Sequence, residues 1–486
     1  MSSSAPRQSS NVDPFQPIIL EHPAVPDLQA HILPYGLTVH RLLLNRRPRD
    51  LLQDAPESEE SVEVYDLIVG PEKETDHCDG GRNFFGPVVG PYANRLPAGV
   101  TRFSYSEQRG ERKAGLVDNE VNSPEWSGPG VCLHGGPEMP ESRSSQLQSG
   151  PFDRMIWEPV AAKDQIGGSL FSQLELSSLS TAGVAFRLFR IDYEETTVGA
   201  GQAPRGVRVE ALFTLSSSSP SVATFIDLIP RSESVGIFGV EYRARFHEGD
   251  PSLNQLTPLN ITQHWGFNLS ASDPSSAVQK AENGQIDAHQ LRIMKSRKEV
   301  AVMELQSNGL PTGKLLPFED SRSAGHDWTD AGKDGLGKAI ADGIPEAGYD
   351  NFYTWPLIPS SFSREEEMSQ TPQALLRSES SKLTLAFRTN QSGFQLYTAN
   401  GQPTAPADPK ASGGTRKLIH RTALNPSARS DEGGNAFRSA AFIEFGHPHA
   451  TFLHEGLQDF IGCGEDTLLR VGETYRNWVS IEVLDG

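Results

Sequence analysis

Histidine and carboxylate side chains are the groups best suited to moving protons near neutral pH. Two of them sit in unusual surroundings in this 486-residue chain. His264 lies in the segment 257–269, TPLNITQHWGFNL. Read as one extended strand, this segment puts Leu259, Ile261, Gln263, Trp265, Phe267 and Leu269 on one face. The other face carries Asn260, Thr262, His264, Gly266 and Asn268, a polar row that suits a ligand with many hydroxyls. Glu444 lies in AAFIEF, residues 440–445, an apolar strand pattern. A carboxylate buried there needs a partner or a shifted pKa, which marks it as a functional candidate. The plain alternative is a glutamate on the solvent face of an edge strand.

Three further segments carry candidate groups. GPVVGPYANR, residues 86–95, ends in Asn94 and Arg95 after a Gly-Pro turn. It reads equally as a strand end with a surface arginine. VCLHGG, residues 131–136, places His134 before two glycines that let backbone approach a ligand closely, or simply before a turn. GYDNFY, residues 348–353, sets Asp350 among aromatics; that combination suits a sugar, and an Asx-type turn is the alternative. His447-Pro-His449 has the spacing of some metal pairs, but no third ligand is placed and no metal is expected. No P-loop, dinucleotide fingerprint or Gly-x-Ser-x-Gly elbow is present, so no cofactor is expected.

These groups need elements to hold them. Short, β-branched or aromatic pieces bounded by Gly, Pro, Ser or Asn dominate, for example 15–20, 30–33, 62–69, 184–193, 206–215, 236–245, 383–388 and 394–398. Long helical periodicity is scarce, so an all-β sandwich or barrel is expected. Segments 107–130, 137–150, 194–206, 320–345, 359–381 and 401–435, rich in Ser, Gly, Pro and charge, read as long loop insertions. Residues 1–15 read as a disordered tail and 16–486 as a single domain, with a split near residue 200 as the alternative. A formal net charge of −19 argues against nucleic acid and anionic membrane partners. Three widely spaced cysteines show no disulfide framework, and no apolar run reaches the roughly 18 residues of a membrane span. A cytoplasmic protein, monomer or dimer, is expected.

In order along the chain, these segments resemble the aldose 1-epimerase (galactose mutarotase) family. GPYANRL (90–96) is similar to the family's Gly-Arg-x-Ala-Asn-Arg-Ile motif, with Pro91 where Arg is common. LHGG (133–136), followed by Phe152-Asp153-Arg154 and Trp157, resembles its Leu-His-Gly-Gly…Gly-Phe-Asp-Lys…Trp segment. NITQHWGFNL (260–269) is similar to Asn-Leu-Thr-x-His-x-Tyr-Phe-Asn-Leu, with Trp265-Gly266 in place of a small-Tyr pair. LPTG (310–313), GYDN (348–351), QLYTAN (395–400) and LLRVGETY (468–475) follow in the family's order. The resemblance implies a large antiparallel β-supersandwich that binds a small-molecule sugar in a concave cleft. It implies Glu444 as base and His264 as acid, with His134, Asp350, Arg95 and Asn94 holding hydroxyls. The reaction would be anomer interconversion of an aldohexose such as glucose or galactose, in hexose metabolism. A hexose-6-phosphate 1-epimerase, a catalytically weak carbohydrate-binding module and a glycosidase using Asp350 with Glu444 are the alternatives. The Trp265-Gly266 departure is expected to reshape the pocket wall beside His264.

Overall fold

The computed structural model describes residues 12–46, 63–106, 109, 116–137, 148–160, 168–195, 205–217, 232–247, 256–273, 284–323, 325–332, 335–357, 371–403, 409–425, 427 and 433–486. Most of the expected tail, residues 1–11, lies outside them, as do 107–108 and 110–115 of the expected loop 107–130, 138–147 of 137–150, 196–204 of 194–206, 324 and 333–334 of 320–345, 359–370 of 359–381, and 404–408, 426 and 428–432 of 401–435.

Antiparallel strands make up the architecture. A nine-stranded sheet runs in the order Glu158–Pro159, Ala185–Glu195, Arg205–Ser216, Glu233–Phe246, Tyr475–Asp485, Leu383–Thr389, Ala374–Arg377, Gln290–Ile293, Lys338–Ala339. A six-stranded sheet orders Gly266–Phe267, Ala441–Gly446, Gly393–Tyr397, Asp350–Thr354, Ala301–Leu305 and Pro311–Pro317. Ile18–His22, Val25–Leu33, Thr38–Arg46 and Glu63–Asp66 form a third sheet. The all-β supersandwich expectation therefore holds. The strands read from alternation fall where expected, because each buries a branched or aromatic face. Among the described residues no helix is long and apolar enough to cross a membrane.

The main core lies between the sheets. Phe387 and Phe394 each pack against Phe445, at ring separations of 5.5 Å. Trp265 lies 5.3 Å from Phe238 and 6.4 Å from Phe213, on the nine-stranded sheet.

Three expectations need correction. Residues 107–130 are not all loop: Leu116–Ser123 pairs with Gly99–Ser106 in a hairpin. The expected loops 359–381 and 401–435 contain the strand Ala374–Arg377 and the helix Leu418–Leu424. Segment 257–269 is not one strand but three short ones, Leu256–Pro258, Thr262–Gln263 and Gly266–Phe267, each pairing with a different neighbour. Both of its faces are buried. Its polar row mostly serves the protein's own backbone: Asn260 donates to the His447 carbonyl (2.8 Å), Thr262 to that of Phe445 (2.8 Å), and Asn268 to those of Gly284 and Ser439 (3.0 Å each). Of that row only His264 lines the cavity described next.

Candidate active site

Glu444 sits mid-strand on the six-stranded sheet, directly across from Gln395, and Asp350 is paired with Tyr397 on the next strand. The pleat therefore brings Asp350, Gln395, Tyr397 and Glu444 to one cavity of about 200 Å³. Its remaining walls come from Arg95 and Leu133, paired across two short strands, and from loops: Arg82, Asn83 and Phe84, then Asn94, His134 and His264, and Gly401 with Gln402.

His264 Nε2 lies 3.1 Å from Glu444 Oε1, and both residues are about 95 % buried, at 5 % and 4 % exposure. Burial pushes the His264 pKa down to about 4, against smaller upward pulls from the backbone carbonyls of His264 and Phe84 and from Asp350. Burial, aided by the charge of Asp350, pushes Glu444 well above the carboxylate range, with Arg95 opposing. The two directions agree. The pair holds one mobile proton, and burial favours the neutral arrangement over the charge-separated one.

Arg95 is half-buried and donates to Asp350 Oδ2 at 2.8 Å and to Asn94 Oδ1 at 3.3 Å. The other Asp350 oxygen accepts from Gln395 Nε2 at 2.5 Å. His134 and Asn94 face each other with reciprocal bonds, His134 N to Asn94 O (2.9 Å) and Asn94 N to His134 Nδ1 (3.0 Å). Because Nδ1 accepts, the neutral ring carries its proton on Nε2. Both residues adopt positive φ, 62° for Asn94 and 52° for His134. All six residues singled out from the sequence thus line one cavity.

Arg82 was not singled out. It donates through Nε and Nη2 to Asp153 (2.6 Å each), and to the carbonyls of Gly136 (2.6 Å) and His134 (3.2 Å). Its guanidinium also lies over Trp126 at 4.1 Å and Phe84 at 4.8 Å. Phe84, also missed, holds a positive φ of 54° and packs its ring 4.7 Å from His134 and 5.6 Å from His264. Gly81 and Arg82 fall in a Gly-rich loop with no periodicity to flag them; the one signal was the later Asp153. Gln395 and Tyr397 were visible only as part of QLYTAN.

The Trp265-Gly266 pair does not reshape the pocket in the way expected. Trp265 faces the core, 1 % exposed. Gly266 acts through Phe442: a Cβ there would lie 2.7 Å from that ring, which packs 4.7 Å from His264. The His447 and His449 rings do not converge on a metal either: His447 Nδ1 contacts Ser392 Oγ (2.9 Å) and His449 Nε2 the Gly309 carbonyl (3.4 Å).

Ligand-type atoms of His134, His264 and Glu444 do lie within 4.8 Å of one another. The donor set fits a metal poorly, because the Asn94 N–H occupies one His134 nitrogen and fixes the proton on the other. The arrangement suits proton transfer flanked by hydroxyl-binding groups.

The family model described as Aldose 1-epimerase matches residues 239–432, less than half of the chain. The fold is similar to a GalM/aldose epimerase homologue from C. elegans, with 16% identity, 96% of this chain and 98% of that chain covered, and a TM-score of 0.56. It is also similar to galactose 1-epimerase from Lactobacillus acidophilus NCFM, with 16% identity, 97% and 95% covered, and a TM-score of 0.53. At these identities the likeness is one of fold. No curated protein matches the sequence.

Proposed function

We propose that this protein is an aldose 1-epimerase interconverting the α and β anomers of an unphosphorylated aldohexose such as glucose or galactose, in hexose metabolism. The observation that carries the reading is the buried His264–Glu444 pair, 3.1 Å apart, on the wall of a cavity edged by hydroxyl-binding groups. Glu444 takes the proton of the C1 hydroxyl while His264 gives one to the ring oxygen. The C1–O5 bond breaks and the C1 carbonyl forms. The pair ends with Glu444 protonated and His264 neutral, the state that burial favours. Rotation about C1–C2 and reversal of both transfers give the other anomer. His134 Nε2–H, Arg95, Asn94 and the Asp350 carboxylate hold the hydroxyls and fix the ring.

Charge supports a neutral sugar over a phosphorylated one. The two arginines of the cavity are already committed, Arg95 to Asp350 and Arg82 to Asp153. A phosphate would have to displace a carboxylate from one of them. Residues 16–486 are read as one unit, supported by strands from both sides of residue 200 pairing in the nine-stranded sheet. A cytoplasmic setting is supported by Cys78, Cys132 and Cys463 all being unpaired.

Polarimetry of freshly dissolved α-D-glucose and α-D-galactose tests the reading. Glu444→Gln and His264→Ala each lower the rate by about 10²–10⁴-fold, the usual contribution of a positioned acid or base. Wild-type rates in both folded variants would sink it. A preference for glucose 6-phosphate would overturn the choice of a neutral sugar.

A further inference from the structure

Away from the cleft, a second polar site surrounds Arg416. This arginine is 4 % exposed, yet its Nε and Nη2 atoms have no hydrogen-bond partner. Those two N–H groups form the parallel edge of the guanidinium, spaced for two oxygens of one oxyanion. At Arg46 and Arg82 a carboxylate fills the same edge. Arg46 Nε and Nη2 donate to Asp485 at 2.8 and 2.6 Å, and Arg82 donates likewise to Asp153 at 2.6 Å. Among the described residues Arg416 has no such carboxylate. After burial itself, the charge of Arg421 is the influence that lowers the Arg416 pKa, and Arg421 Nε donates to the Arg416 carbonyl at 2.7 Å.

The surroundings of Arg416 are also short of partners. Thr415 bridges Gly434, and Arg416 N donates to the Gly433 carbonyl at 3.0 Å. Antiparallel pairing alternates faces, so Arg416 and Asn435 fall on the same side. Asn435 is fully buried, and neither its Nδ2 nor its Oδ1 has a partner; buried Ser439 Oγ has none either. Gly284, at φ +80°, brings its backbone against the guanidinium: a Cβ there would lie 2.6 Å from Nη1. Asn268 Nδ2 ties the carbonyls of Gly284 and Ser439 together at 3.0 Å each, so both segments close on one place. A buried cation and buried donors left without partners are unfavourable unless something fills the gap.

We propose that Arg416, through Nε and Nη2, holds a small tetrahedral oxyanion of the phosphate class, with Asn435 Nδ2 and Ser439 Oγ as further donors. The site is structural and separate from the sugar cleft. It locks the segment before the helix Leu418–Leu424 to the strand-flanking segments at Gly284 and Ser439.

Equilibrium dialysis of the full chain with radiolabelled inorganic phosphate, at constant ionic strength set with sodium chloride, tests it. One phosphate per chain binds, and Tm rises with phosphate concentration. Both effects vanish in Arg416→Met and persist in Glu444→Gln, which keeps this outcome apart from that of the epimerase reading. Asn435→Asp sets a carboxylate beside the guanidinium, so it folds and loses phosphate binding; this variant carries the test if Arg416→Met does not fold. No stoichiometric binding by the wild type, unchanged binding by Asn435→Asp, or an equal Tm rise with added chloride would each overturn the proposal.

Discussion

Replacing Gly266 by alanine puts a single methyl group where it can be followed into the site. The new Cβ would lie 2.7 Å from two carbons of the Phe442 ring and 3.1 Å from the Ala440 Cβ. Carbon atoms pack comfortably at about 3.5–4.0 Å, so the ring must give by roughly 1 Å. It has nowhere empty to go. Phe442 is 1 % exposed and meets Tyr397 at 5.5 Å, Phe85 at 6.0 Å and His264 at 4.7 Å. Overpacking of this kind costs about 1–3 kcal/mol. The shift also pushes the His264 ring, whose 3.1 Å contact with Glu444 is the proposed reacting pair. A misplacement of about 1 Å at a reacting group costs about 10²-fold in rate. Urea unfolding and polarimetric anomerisation read the two effects separately. Gly266→Ala lowers the midpoint and slows anomerisation, and adding Phe442→Leu recovers much of both by shortening the ring's reach. A variant with wild-type stability and rate would show that Phe442 does not transmit position to His264.

Other outcomes follow from the same geometry. The His264–Glu444 pair works with one proton, so anomerisation falls as pH drops through about 4, where His264 takes a second. It falls again on the alkaline side as Glu444 loses the last; Glu444→Gln removes that alkaline limb from the residual activity, and a pH-independent wild-type rate would contradict the pair. Asp350→Asn breaks the Arg95 ion pair (2.8 Å) and raises KM more than it lowers kcat; an effect on kcat alone would place Asp350 in the proton transfer. Buried His289 and His449, each with a pKa lowered to about 3, bind protons only when unfolded as pH drops below about 6.5. Their folded pKa values are depressed, so stability is lost with falling pH; these two alone contribute roughly 2–3 kcal/mol per unit between about pH 5.5 and 4, and His77, also lowered to about 3, adds to the slope in the same direction. His289 Nε2 accepts the Leu269 N–H at 3.0 Å, so protonation also breaks a bond. Denaturant titrations at pH 6.5 and 4.5 measure the slope, and a flat profile would refute it.

Much of this was legible because strands that bury one face announce it by alternation. Ala185–Glu195, Arg205–Ser216 and Glu233–Phe246 fell within a few residues of the reading. Glu444 was legible for the opposite reason, as a charge inside an apolar strand. The row Asn260, Thr262, Asn268 misled, because alternation cannot distinguish a ligand's hydroxyl from a neighbouring carbonyl. Those side chains satisfy backbone groups of the segments around Phe445, His447 and Ser439. Arg82 and Phe84 were illegible because their roles depend on Asp153, Trp126 and His134, distant in sequence and joined only by folding.

The reciprocal bonds between Asn94 and His134 give the cleft a direction. With its proton held on Nε2, His134 can only give a hydrogen bond, and Arg95 can only give one, whereas the Asp350 carboxylate can only receive. A hydroxyl spanning these groups must therefore accept on one side and donate on the other. A hexose seated the wrong way round would place hydroxyls of the wrong sense against the walls. Under the proposed function, the cleft would read which face of the ring is presented before any proton moves, and a sugar lacking the bridging hydroxyl would forfeit two bonds at once.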